Sequence, residues 1–223
     1  MSQIKSFKEF LKSRSVTFVD IDETLFRTFA KIKVIKNGKI VASLNNTEFN
    51  TYQLEDGESF DFGEFRNSEL FKRTSIPIQT TISLLNRIQR SAKQRNSPIY
   101  LLTARADFDN KDSLLDFLKT HNIDVGHHRD GKVHIIRAGN ISSGKGSAVN
   151  KKIMIHKIMQ MGNFNYVVLV DDDLSNLNAF LSVPYELSKK TILSSGGKII
   201  FHAIIVDHGN MKDYRKEVIS INK

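Results

Sequence analysis

The chain has 223 residues, 40% of them hydrophobic and 26% charged, and carries a formal charge of +9. That composition is ordinary for a soluble globular protein, and the length suits one α/β domain with an insertion rather than two full domains. With no cysteine in the sequence, a disulfide framework, a thiolate zinc site and a cysteine nucleophile are all excluded, and a reducing compartment fits.

The opening MSQIKSFKEFLKSRS is basic but lacks the apolar run of a signal peptide. Ile4, Phe7 and Leu11 recur at helical spacing, which predicts a short amphipathic helix docked on the domain. No stretch approaches the roughly 20 apolar residues of a membrane span, so a cytoplasmic protein without membrane partners is expected. The positive charge favours polyanionic partners such as nucleotides or nucleic acid, although the lysines are spread along the whole chain.

Five apolar runs read as buried parallel strands: VTFVD (16–20), SPIYLLT (97–103), VHII (133–136), YVVLVD (166–171) and IIFHAIIVD (199–207). Helical patterns lie between most of them. Residues 78–95 place Ile82, Leu85 and Ile88 on one face, and residues 109–121 place Leu114, Leu115 and Leu118. Residues 147–161 place Ile155, Ile158 and Met159, and residues 174–181 make a short last helix. This alternation predicts a doubly wound, Rossmann-like parallel sheet with helices on both faces.

Residues 28–75 break the alternation. TFAKIKVIKNGKIVASL carries Asn37-Gly38 between two β-rich arms, a hairpin signal, and a polar, aromatic, turn-rich stretch follows. The core is therefore expected to comprise residues 1–27 and 76–223. A small β-rich cap of residues 28–75 would lie above the strand ends, where open α/β sheets bind ligands. Its aromatics Phe49, Tyr52, Phe60, Phe62 and Phe65 suit either a small core of the cap or stacking surfaces for a base.

The first strand ends in Asp20-Ile21-Asp22-Glu23-Thr24. Residues two apart in an extended segment point the same way, so both carboxylates can face one crevice. Like charges held together call for a cation, and oxygen-only ligands suit Mg²⁺. A second acidic cluster, Asp171-Asp172-Asp173, closes the YVVLV strand at the same sheet edge, with Asp173 placed to cap the next helix. Thr103 ends a third strand, and Asn150-Lys151-Lys152 opens a helix. Carboxylates for a cation, with a hydroxyl and a lysine for phosphate oxygens, make a metal-plus-phosphate site.

VDIDET, LLTAR, NKK and VLVDDD, in that order, resemble the four motifs of the haloacid dehalogenase (HAD) superfamily of phosphatases. Those motifs are DxDx[TV], a strand-terminal Ser or Thr, a Lys and an acidic pair. The resemblance covers residues 16–182, and the cap region looks similar to uncharacterised HAD-like proteins of tailed phages. It implies a Mg²⁺-dependent phosphomonoesterase in which Asp20 is the nucleophile, forming an aspartyl-phosphate, and Asp22 the general acid–base. It further implies that Thr103 and Lys152 bind the phosphoryl group. Mg²⁺ would be held by Asp20, Asp22, Asp171 and Asp172, the Ile21-to-Asp22 backbone included. Glu23 departs from the glycine many members carry.

Several assignments stay open. Lys152 lies three residues before Ile155 and seven before Met159, which favours it as the phosphate lysine, with Lys151 as rival. Arg105 either contacts substrate phosphate or pairs with an acid. The run from Gly139 to Gly146 is a plain loop, because Gly146 stands where a P-loop needs Ser or Thr. Adjacent His127 and His128 read as a surface loop. The basic charge favours a nucleotide or nucleic-acid phosphate end as substrate. A phosphotransferase, or a catalytically silent HAD-like module binding nucleic acid or a protein, is the alternative.

Overall fold

The computed structural model describes residues 14–95, 97–126, 133–141 and 146–221. The expected N-terminal helix, the His127-His128 pair and residues 142–145 of the glycine-rich loop lie outside them.

In chain order, the elements begin with β1 (Ser15–Val19), β2 (Phe26–Arg27), β3 (Ile32–Lys36), β4 (Lys39–Leu44), α1 (Asn46–Thr51) and β5 (Glu58–Asp61). Next come α2 (Gly63–Arg66), α3 (Ser68–Thr74), β6 (Ile76–Pro77), α4 (Gln79–Arg95), β7 (Ile99–Thr103), α5 (Lys111–Thr120) and β8 (Val133–Arg137). The chain continues through α6 (Ser147–Met161), β9 (Tyr166–Asp171), α7 (Leu174–Ser182), α8 (Lys189–Ser194), β10 (Lys198–Asp207) and β11 (Asn210–Ser220).

The five apolar runs, joined by β11, form one six-stranded sheet in the order β11-β10-β9-β1-β7-β8, parallel except for β11. Side chains alternate across it. Val16, Phe18, Tyr100, Leu102, Val167 and Leu169 face one core, with Ile155, Ile158 and Met159 of α6 and Leu177 and Phe180 of α7. Ile99, Leu101, Val168 and Val170 face the other, with Ile82, Leu85 and Ile88 of α4 and Leu114, Phe117 and Leu118 of α5. Helices thus cover both faces, which is why the strands read as apolar runs with few polar interruptions.

Three details differ from the sequence expectation. Phe117, not Leu115, completes the buried face of α5, and Leu115 is exposed. Residues 174–182 are not the last helix, since α8 follows. Strand β11 is an antiparallel edge whose side chains are largely exposed, so NMKDYRKEVIS carries no apolar signal.

The insertion leaves the core at β2 and returns at β6, and these pair antiparallel, Phe26 with Pro77 and Arg27 with Ile76. Within it, β4-β3-β5 form a separate antiparallel sheet. Asn37 and Gly38 both take positive φ, 51° and 72°, as the two-residue turn between β3 and β4 requires. Asn45 and Glu48 exchange side-chain and backbone hydrogen bonds to cap α1. Ile32, Val34 and Leu44 are buried under Phe49, Tyr52, Phe60 and Phe65. Helix α3 belongs with the main body instead: Phe71 packs among Phe26, Phe108 and Phe117.

Candidate active site

Parallel β1 and β9 are neighbours in register, so their carboxyl ends deliver Asp20 and Asp171 side by side. Both are buried, Asp20 at 4% exposure and Asp171 at 0%. Between them sits Lys151 from the first turns of α6, its Nζ 2.7 Å from Asp20 Oδ1 and 2.9 Å from Asp171 Oδ2. Asp171 Oδ1 also accepts from the Asp173 amide at 3.0 Å and from Asn176 Nδ2 at 2.8 Å. Asp172 Oδ1 accepts from the Thr24 hydroxyl at 3.1 Å. Asp173 accepts from the Ser175 amide at 2.7 Å and so caps α7, as its position suggests.

Asp22 points into the same crevice but meets a different cation. Arg105 Nε lies 3.0 and 2.9 Å from its two oxygens, and Nη2 lies 2.6 Å from Oδ1. Thr103 is buried at the end of β7, and its Oγ1 accepts from the Arg105 amide at 3.0 Å.

A cavity of about 350 Å³ opens over this cluster. Asp20, Asp22, Lys151, Asp172 and Asn176 contribute from the core, and Ile32, Phe49, Phe62, Phe65 and Arg66 from the insertion. Ala104, Arg105 and Ala106 line it too, but Thr103 does not. Gly139 permits this loop to pass: a Cβ there would stand 2.1 Å from the Ala104 carbonyl oxygen.

The electrostatics are crowded. Burial pushes the Asp20 carboxyl well up; Lys151 pulls it back, and Asp171, Asp172 and Asp22 push it further up. Asp172 is raised to about 7, by burial first and then by the Asp171 charge. Burial alone draws the Lys151 ammonium down, but Asp171 and Asp20 overcome it, so it is held firmly protonated. Four carboxylates face two cations, Lys151 and Arg105, so a bound proton or a further cation must compensate the remaining negative charge.

A hard divalent ion fits this donor set. Asp20, Asp171 and Asp172 each offer a carboxylate oxygen within 4.8 Å of the others. Every such donor is oxygen, as Mg²⁺ requires. Asn176 supports the fit: its Nδ2 is committed to Asp171, and its buried Oδ1 has no hydrogen-bond partner among the described residues. That oxygen can accept from the coordinated water that Mg²⁺ usually retains.

Two sequence assignments are corrected. Lys151, not Lys152, enters the site; Lys152 turns outward to pair with Glu186, because one residue along a helix is a rotation of about 100°. Asp22 stands outside the carboxylate cluster, its oxygens taken by Arg105. Arg105 is thereby an acid's partner. Thr24 belongs to the first motif but its bond to Asp172 does not show in sequence, and Asn176 carries no sequence signal, since both contacts are made at the sheet edge. No family model, curated protein or solved structure matches this chain.

Proposed function

We propose that this chain is a Mg²⁺-dependent phosphomonoester hydrolase of the HAD type, with Asp20 as nucleophile. One observation carries the reading: Lys151 bridges Asp20 and Asp171 at the floor of a cavity that also presents Asp22 and Asp172. Asp20 would attack phosphorus and form an aspartyl-phosphate while the leaving oxygen departs. Asp22 would deliver a proton to that oxygen, then take one from the water that hydrolyses the intermediate. Lys151, already beside Asp20, would hold phosphoryl oxygens as they arrive. Asp20 and Asp172 would hold Mg²⁺, with Asp171 fixing the lysine between them. When bound, the ion supplies charge neutralisation for the phosphoryl group.

The charge of +9 and the aromatic wall formed by Phe49, Phe62 and Phe65 support a nucleotide or nucleic-acid phosphate end as substrate. A second reading has its own observation. Asp20 and Asp22 are both ion-paired, to Lys151 and Arg105, which also suits a catalytically silent module that binds a polyanion or a protein. Phosphate release from a panel of mononucleotides, phosphorylated oligonucleotides and small phosphomonoesters, with Mg²⁺, separates the two. Turnover that Asp20→Asn abolishes supports the hydrolase. Absence of both release from any member of the panel and transfer to an added alcohol returns the chain to the silent reading, and transfer without release makes it a phosphotransferase.

A further inference from the structure

Arg105 belongs to no helix or strand, yet it is 4% exposed. Its guanidinium grips both oxygens of Asp22. From the same plane, Nη1 donates to the Phe65 carbonyl at 2.6 Å. Its carbon stands 4.4 Å from the centroid of the Phe65 ring, 5.0 Å from Phe71 and 5.3 Å from Phe108. Asp22 follows the first strand of the core, whereas Phe65 lies in helix α2 of the insertion. One rigid, planar cation therefore spans the two bodies. A guanidinium fork has fixed donor directions, so turning to follow one partner spoils its geometry to the other. Its backbone is also held, by the Thr103 hydroxyl and by the close approach of Gly139 to residues 104–106.

We propose that Arg105 is a positioning residue that ties the seating of helix α2 to the orientation of the Asp22 carboxylate. The insertion then acts on chemistry as well as on substrate choice: displacing residues 62–66 releases Asp22 from its fixed direction. Phe65 becomes a residue whose loss is felt at Asp22 without touching it. The kinetic consequence rests on the hydrolase reading, whereas the coupling does not.

Hydrogen exchange tests the coupling without any assay of activity. The amides of Arg66 and Asn67 donate to Phe62 and Glu64, each at 3.2 Å, and report the seating of α2. In Asp22→Ala their exchange is expected to rise several-fold. In Asp22→Asn, whose carboxamide oxygen still accepts from Arg105, the rise should be smaller, and in Lys152→Ala absent. Unchanged exchange in both Asp22 variants overturns the proposal. Kinetics supply the second test, with phenyl phosphate as substrate. Arg105→Ala should lower kcat about 100-fold, the scale of an acid–base group. KM should stay within about twofold, because no substrate contact is removed. Added guanidinium ion should recover part of that loss through the open cavity, and Phe65→Leu should lower kcat more weakly. A raised KM at constant kcat makes Arg105 a phosphate ligand and overturns the proposal. So does a kcat loss that guanidinium leaves untouched and that matches the fall in melting temperature. A wild-type protein inactive on every phosphomonoester defeats the hydrolase reading alone, and exchange then decides the coupling.

Discussion

The Lys151 ammonium lies 2.7 Å from Asp20 Oδ1, buried where it can reach Asp171 as well. It ties the end of β1 to the end of β9, and it is the largest local compensation for three clustered carboxylates. Lys151→Ala should therefore abolish phosphate release and also destabilise the metal-free protein. Breaking a buried pair by removing one partner costs about 3–5 kcal/mol. Lys152→Ala should cost under about 1 kcal/mol and leave turnover intact, since its pair with Glu186 is partly exposed. Urea unfolding with phosphate-release rates on both variants checks this, and a dead Lys152→Ala would reverse the assignment.

Asp20→Asn is expected to stop turnover in a folded protein. A carboxamide is a poor nucleophile, and burial already disfavours the Asp20 charge. The lysine keeps Asp171 as partner, so the melting temperature should change little. Phosphate release at the wild-type rate would remove Asp20 from the nucleophile role.

Mg²⁺ should raise the melting temperature of the wild-type protein, and excess EDTA should reverse the rise and stop turnover. An ion present at 100 times its dissociation constant stabilises by about 2.7 kcal/mol. Asp172→Ala should lose that stabilisation while Asp22→Asn keeps it, because Asp22 lies outside the carboxylate cluster. Stabilisation by Mg²⁺ that survives in Asp172→Ala would place the ion elsewhere.

The aromatics of the insertion form one cluster, in which Phe62 packs 5.6 Å from Phe49 and 5.9 Å from Phe60, and they differ in exposure. Phe49, Tyr52 and Phe60 meet edge to face over the small sheet, with ring centroids 4.9–6.1 Å apart. Phe62 is 37% exposed on the cavity wall. Phe60→Ala should lower the stability of the insertion and harm all substrates alike. Phe62→Ala should raise KM for nucleotides, since a stacked base contributes about 1–3 kcal/mol, and leave phenyl phosphate nearly unchanged. Equal losses on both substrates would give Phe62 a structural role.

Away from the site, the surroundings of His202 predict a pH dependence of stability. Its Nδ1 lies 3.1 Å from the Tyr166 hydroxyl and its Nε2 2.8 Å from Asp213. Burial, then the Lys216 charge, lowers its pKa, while Asp213 opposes both. The folded state thus binds a proton less readily than the unfolded chain, whose histidine titrates near 6.5. This contribution is intact above pH 6.5 and is lost as pH falls through the lower folded value. Melting temperatures at pH 7.5 and 5.5 should show the decline in the wild type and a shallower one in His202→Gln. Identical slopes would assign the acid sensitivity to other groups.

Much of this arrangement is written locally. Each buried parallel strand is a mostly apolar run because helices cover both faces, and the acidic residues that end β1 and β9 must share an edge once those strands are parallel neighbours. The hairpin at Asn37-Gly38 and the interruption after β1 marked the insertion for the same local reason, turn chemistry and a change of period. Even the lysine was recoverable: Lys151 lies four, seven and eight residues before the buried Ile155, Ile158 and Met159, a full helical match. What periodicity does not encode is which side chains meet across the fold. Arg105 and Asp22 are 83 positions apart, and Arg105 also meets the Phe65 carbonyl and the close pass of Gly139, contacts between elements far apart in sequence. Strand β11 left no apolar trace because an edge strand pairs through its backbone while its side chains stay in water. Burial repeats along an element and can be read from its own residues, whereas a contact between distant elements is decided only when the whole core has packed.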